Sequence, residues 1–96
     1  MPLVTLYTTS WCPYCKAAKS LLDRKGVGYQ EIDVDRAPGL RAAMTKRAGG
    51  RTSVPQIFIG DAHVGGSDDL HAMEACGLLD AALAGESLAN REGETA

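Results

Sequence analysis

Leu3-Val4-Thr5-Leu6-Tyr7-Thr8, Thr9-Ser10-Trp11, Cys12-Pro13-Tyr14-Cys15 and Lys16-Ala17-Ala18-Lys19-Ser20-Leu21-Leu22 follow one another without a gap. A run rich in β-formers, a short polar turn and a helical pattern begin in that order, so the stretch predicts strand, turn, helix. Two cysteines three apart at such a junction share one helical turn and are close enough to exchange a disulfide. Cys12 falls where unpaired backbone N–H groups and the positive end of the helix dipole meet, a setting that favours the reactive thiolate. Pro13 suits the first helical position, where its missing N–H breaks no bond. The competing reading is half of a zinc site. Zinc wants four ligands, and beyond the pair only Cys76, His63 and His71 are available, with no second close cysteine pair. A redox pair is the better fit to a Cys-x-x-Cys in this context.

Working outward, Ala18, Leu21 and Leu22 form an apolar stripe from Pro13 to about Lys25, and Gly26 ends the helix. Tyr29 to Val34 alternates polar and apolar residues and predicts a second strand. Pro38 is expected to start a helix in which Leu40, Ala43, Met44 and Ala48 share a face, closed by Gly49-Gly50. Pro55 to Ile59 reads as a strand around Ile57-Phe58-Ile59. Gly60-Asp61 turns it into Ala62-His63-Val64, and Gly65-Gly66 breaks that strand. Ser67 is the expected N-cap of one or two closing helices, with Asp68 and Asp69 in the first turn and an interruption at Gly77. The order β-α-β-α-β-β-α, with a right-handed first crossover, gives an α/β fold: a four-stranded mixed sheet flanked by helices on both faces. The helix start at Cys12 lies beyond the carboxyl end of the first strand, where open α/β sheets bind ligands.

Size and composition set limits. Ninety-six residues, 45 % of them hydrophobic, make one domain. It spans 1–84, and 85–96 reads as a polar, flexible tail. No apolar run approaches the ~18–20 residues of a membrane span. Met1-Pro2-Leu3 carries neither a basic nor a long apolar leader segment. Three cysteines do not build a disulfide scaffold, so a reduced, cytoplasmic setting is expected. The net charge of −2 hides an asymmetry: nine Lys/Arg against four Asp/Glu in residues 1–51, and one against eight in residues 52–96. This reads either as two differently solvated faces or as a basic rim near the cysteines that suits an anionic ligand. A pI near 5.6 without an aromatic-basic array argues against nucleic acid.

Three pieces in order carry a resemblance: Tyr7-Thr8 leading to Cys12-Pro13-Tyr14-Cys15, then Arg51-Thr52-Ser53-Val54-Pro55-Gln56-Ile57-Phe58-Ile59, then Gly65-Gly66-Ser67-Asp68-Asp69-Leu70. Over roughly Leu3 to Leu83 the chain resembles a small dithiol glutaredoxin of bacterial type. The resemblance implies a thioredoxin-like fold that reduces disulfides at the expense of glutathione, with no metal. It implies Cys12 as nucleophile and Cys15 as the resolving cysteine of the dithiol route, with a monothiol route through Cys12 alone. Ser53, Val54 and a cis Pro55 would pair with the cysteinyl part of glutathione. Gly66, Ser67 and Asp68 would hold its γ-glutamyl end, and Tyr14 would flank it.

The expected partners are glutathione, disulfide-containing or glutathionylated proteins and, indirectly, glutathione reductase with NADPH. The chain itself is expected to be a monomer. The sequence departs from the family in lacking a lysine at Thr8-Thr9-Ser10-Trp11, which leaves Arg41, with Arg51 as second candidate, for the glycyl carboxylate. Trp11 is expected to pack beside the motif, Cys76 to be semi-buried, and His63 and His71 to lie on the surface. A competing function is a glutathione-ligated [2Fe–2S] module, which Pro13 and Cys15 disfavour. Another is a redoxin recharged by thioredoxin reductase, which Asp68-Asp69 disfavours.

Overall fold

Strand β1 (Val4–Thr8) is buried along its whole length, as a strand covered on both faces must be. In the computed structural model, which describes residues 3–84, it is followed by α1 (Pro13–Arg24), β2 (Gln30–Asp33) and α2 (Leu40–Arg47). Strands β3 (Gln56–Ile59) and β4 (Ala62–Gly65) come next, then helices α3 (Ser67–Ala75) and α4 (Leu78–Leu83). The sheet order is β2-β1-β3-β4. β1 runs parallel to β2 and antiparallel to β3, and β4 returns antiparallel beside β3. This is the four-stranded mixed sheet the element order implied. The tail expected at 85–96 lies outside the described residues. No helix among the described residues is long and apolar enough to cross a membrane.

Side chains alternate along β1, so its two faces feed two cores. Val4 and Leu6, with Ile57 and Ile59 of β3, meet Ala18, Leu21 and Leu22 of α1, Leu70 of α3 and Leu79, Ala82 and Leu83 of α4. Tyr7 and Phe58 face the other way, onto Met44 and Ala48 at α2. The larger core fastens α1 against the sheet and thereby fixes where its N-terminus points.

Several boundaries differ from expectation for local reasons. α1 does end at Gly26, whose φ of +71° lets its N–H reach Asp23 O while the Val27 N–H reaches Leu22 O. α2 begins at Leu40, not Pro38, because Gly39 (φ +87°) breaks the helical run between them. Met44 and Ala48 carry its buried face, whereas Ala43 is exposed. β4 runs one residue past Val64, taking in Gly65, so the strand breaks at Gly66 and not at Gly65. The cap of α3 is Gly66, not Ser67: the Asp69 carboxylate accepts the Gly66 N–H at 2.9 Å, and Ser67 is the first helical residue. The closing helices do break at Gly77, in left-handed conformation.

Candidate functional site

The first turn of α1 is closed by a sulfur. Cys12 is the N-cap in extended conformation, Pro13 follows at the first helical position, and the Cys12 Sγ accepts the Cys15 N–H at 3.3 Å. The group that a serine or aspartate oxygen would satisfy at an ordinary cap is here satisfied by the sulfur. Such a bond is stronger to an anionic acceptor than to a neutral one. As a thiol, Cys12 donates to Val54 O at 3.6 Å. Both cysteines are free, Cys12 half-buried and Cys15 buried at 1 % exposure. Burial, then its hydrogen bond with Cys12, pushes the Cys15 thiol up to about 12. The pair is therefore asymmetric, one sulfur presented and the other held back as a neutral thiol beneath it.

Beside Cys12 lies a pocket of about 300 Å³ lined by Tyr14, Arg51, Ser53, Val54, Pro55, Gly66, Ser67, Asp68 and Asp69. Three segments build it: the start of α1, the 51–55 loop leading into β3, and the start of α3. The Val54–Pro55 bond is cis, as the resemblance implied. The α3 end of the pocket is electrostatically mixed. First-turn amides of α3 and the Arg51 guanidinium are positive, and Asp68 is an exposed carboxylate. A ligand headgroup carrying both a carboxylate and an ammonium matches that pattern. Arg51 lies 3.4 Å from Asp69, whose carboxyl is held below the usual range by its Gly66 N–H bond first and by Arg51 second.

Of the residues singled out from sequence, Tyr14, Ser53, Val54, Pro55, Gly66, Ser67 and Asp68 line this pocket together. Arg41 does not: it donates to Thr52 O at 2.9 Å, one residue outside the lining, and stands 3.8 Å from Asp35. Arg51 and Asp69 complete the lining instead. Lys19 is held by Glu31 at 3.0 Å, with Thr8 Oγ1 donating to the same carboxylate at 2.7 Å, so its charge is already partnered.

Two surroundings differ from expectation. Trp11 does not pack beside the motif but stands 92 % exposed, because the turn carries it away from both cores. Cys76 is exposed, not semi-buried, since it caps α3 where the chain leaves the buried stripe. His63 is exposed, as expected, and His71 half-buried; each has a partner, Gln56 and Ser67 respectively. Gln56 is wholly buried in a strand otherwise apolar, and a polar residue in that apolar run is the signal its sequence carries. Among the described residues no three His, Cys, Asp or Glu side chains gather as a metal site.

Comparison with known proteins agrees with this geometry. A sequence model of the family described as Glutaredoxin matches residues 4–64. A glutaredoxin of Pseudomonas aeruginosa is 61 % identical over 83 residues, covering 86 % of this chain and 98 % of that one. The solution structure of a glutaredoxin from Brucella melitensis superposes with a TM-score of 0.76 at 54 % identity, covering 86 % of this chain and 89 % of the other. A buckwheat glutaredoxin–glutathione complex gives a TM-score of 0.79 at 30 % identity, covering 86 % and 77 %. The fold is accordingly thioredoxin-like.

Proposed function

Because the chain belongs to the glutaredoxin family of thiol–disulfide oxidoreductases, we propose that it reduces protein disulfides and glutathione mixed disulfides with glutathione as the electron source. The Cys12 thiolate attacks the glutathione sulfur of a mixed disulfide. The Cys12–glutathione bond forms as the target's bond breaks, and the target leaves as a thiolate that takes a proton from water. A second glutathione thiolate then attacks the Cys12-bound sulfur, releasing glutathione disulfide and regenerating Cys12. Toward a protein disulfide, the Cys12 thiolate attacks one sulfur and the other leaves as a thiolate that takes a proton from water. Cys15, after losing its proton, attacks Cys12 Sγ, closing Cys12–Cys15 as the second target thiol leaves. Two glutathiones reopen that bond and depart as glutathione disulfide. The burial that keeps Cys15 protonated makes it the slower partner, needed only in that second route.

The observation that carries this reading is the pocket whose Val54 wall touches Cys12 Sγ and whose far end offers α3 amides, Arg51 and Asp68. Glutathione laid there has its cysteinyl part along Ser53, Val54 and Pro55, flanked by Tyr14. Its γ-glutamyl carboxylate meets the Ser67 and Asp68 amides, and its ammonium meets the Asp68 side chain. Arg51 is the guanidinium already in the pocket, and Arg41 stands outside the wall at Thr52 as the candidate for the glycyl carboxylate. The working setting is a reducing cytoplasm, with glutathione reductase and NADPH recycling the glutathione and the protein acting as a monomer.

An NADPH-coupled assay run with glutathione and glutathione reductase, and separately with thioredoxin reductase, tests it. Turnover only in the first is expected, abolished by Cys12→Ser and retained by Cys15→Ser toward a glutathionylated peptide. Turnover only with thioredoxin reductase overturns the proposal. A brown colour in anaerobically purified protein, bleached by Cys12→Ser, would instead favour the cluster-binding module.

A further inference from the structure

The face of the sheet opposite α1 contains a polar chain that the reaction above does not use. Gln56 opens β3 with 0 % exposure, on the side of the sheet that carries Tyr7 and Phe58. Its amide donates to Ser53 O at 3.0 Å and to Ser53 Oγ at 3.3 Å, and its Oε1 lies 2.6 Å from His63 Nε2. A buried amide is tolerated only when its groups are bonded, and among the described residues no buried side-chain polar atom lacks a partner. Even fully satisfied, such an amide adds little to stability over an apolar residue of the same shape. Its effect is on direction.

The chemistry of the partners fixes that direction. Ser53 O can only accept, so the Gln56 NH₂ must face it and Oε1 must face His63. His63 must then present Nε2–H, as the neutral Nε2–H tautomer or as the cation. The ring is held for this by stacking on Phe58, centroids 4.8 Å apart and planes 22° from parallel, while Arg47 lies 4.1 Å from the Phe58 centroid. Gln56 in turn pins the Ser53 carbonyl inward. Across a trans, planar peptide the C=O and the following N–H point in opposite directions, and the cis bond of this loop is the next one, Val54–Pro55. An inward Ser53 C=O therefore turns the Val54 N–H outward, toward the side where Ser53 and Val54 line the pocket. Because Gln56 also donates to Ser53 Oγ, the hydroxyl hydrogen of Ser53 is left to donate elsewhere.

We propose that Gln56 and His63 are positioning residues: His63 fixes the rotamer and flip of Gln56, and Gln56 fixes the Ser53–Val54 peptide so that the Val54 N–H faces a bound disulfide substrate. The inference rests on the glutathione reading of the pocket, and it adds residues that never touch the ligand. Loss of the brace frees that peptide to rotate, which weakens capture of the substrate and leaves the Cys12 sulfur as it was.

The test compares wild type, Gln56→Met, His63→Phe and His63→Gln. Phenylalanine keeps the stack on Phe58 and removes the donor; glutamine restores an N–H toward Oε1. For a glutathionylated peptide, Gln56→Met and His63→Phe should raise KM by roughly 3- to 10-fold, the worth of one lost hydrogen bond. Their kcat and their rate of Cys12 alkylation by iodoacetamide should stay within about twofold of wild type, and His63→Gln should recover most of the KM. Amide NMR without any ligand provides a second reading: the Val54 cross-peak should move in Gln56→Met and His63→Phe and return in His63→Gln. Unchanged KM and an unmoved Val54 cross-peak in a folded His63→Phe protein would overturn the brace, as would kcat and KM changing together in step with a fallen melting temperature. A wild-type protein inactive with glutathione would instead sink the functional reading, while the NMR comparison would still decide the brace.

Discussion

The cysteine turn, residues 11–15, and the pocket wall, residues 51–69, are built in opposite ways. The turn is local: five consecutive residues and the start of one helix place Cys12 at the cap and Cys15 one turn below it. The wall is assembled from a loop, the end of β4 and the start of α3, and is braced from behind by Gln56 and His63. The two meet where Cys12 Sγ reaches Val54 O. Reactivity can be specified by a short stretch because it depends on one sulfur and the amides beside it. Selectivity cannot, because it depends on how separate segments are held relative to one another. If this division is right, substitutions of the turn's cysteines change chemistry and leave binding and stability alone, and substitutions in the wall do the reverse, with Tyr14 the one turn residue that also lines the pocket.

The largest effect belongs to the turn. Cys12→Ser should lower turnover by at least ~10³-fold, the scale of removing a nucleophile, with the fluorescence-monitored melting temperature unchanged. Measurable turnover through Cys15 in that variant would break the division, because a buried thiol would then be acting as a nucleophile. Alkylation checks the same asymmetry directly in a Cys76→Ser background. With its thiol pushed up to about 12, Cys15 is ionised to only about one part in 10⁴ at pH 8. Mass spectrometry of iodoacetamide-treated protein should find Cys12 modified more than ~100-fold faster than Cys15. Equal rates would show that the helix opens enough to erase the difference in burial.

In the wall, Gly65→Ala is the severe change. Gly65 sits at φ +115°, and a Cβ there would collide with the Asp69 carboxylate and lie 2.8 Å from Arg51 Nη1. The left-handed φ costs a residue with a side chain about 1–3 kcal/mol, and swinging the half-exposed Asp69 off its Gly66 cap adds up to about 1, together a fall of roughly 10 °C or more in melting temperature for a domain of this size. Asp69→Asn removes the charge from the bond that caps α3. Asp69 is 49 % exposed, so screening limits the loss to about 1 kcal/mol or less. The pH dependence follows from the sign of the shift. The folded carboxyl titrates below its ordinary 3.8, so its stabilisation is complete above that value and disappears as pH falls through the lowered one. Urea midpoints of wild type and Asp69→Asn should therefore differ at pH 6, and the gap should narrow as pH falls below 3.8. A constant gap would mean that Asp69 acts through packing and not through charge.

The same division explains what the sequence made legible. The strand, turn and helix around Cys12 were readable because their signals, β-formers, a proline at the first helical position and a stripe of Ala18, Leu21 and Leu22, are local. The two-sided core followed from the element order, which put helices on both faces of the sheet. What escaped depended on distant partners or on single backbone torsions. Gly39 moved the start of α2, and Asp69 took over the capping that Ser67 seemed suited to. Arg51 and Arg41 could not be told apart until the loop placed one inside the pocket and tied the other to Thr52. His63 looked idle because its partner, Gln56, is reached only across the β3–β4 pair.

Trp11 gives the finest test, because it lies in the turn and is the residue sequence reading expected to be packed. It is the chain's single tryptophan and stands 92 % exposed. An indole that buries almost nothing contributes almost nothing to the core, and surface substitutions of this kind stay within about 0.5 kcal/mol. Trp11→Ala should therefore move the melting temperature by less than ~4 °C, against the roughly 10 °C or more of Gly65→Ala. Its emission provides the sharper measurement: in the native wild-type protein the maximum should match that of tryptophan in water and shift hardly at all on unfolding in urea. A blue-shifted native maximum, with a destabilised Trp11→Ala protein, would mean that the indole folds back over the pocket wall. The turn would then be holding part of the wall in place, and the separation of local reactivity from assembled selectivity would fail at the residue next to the nucleophile.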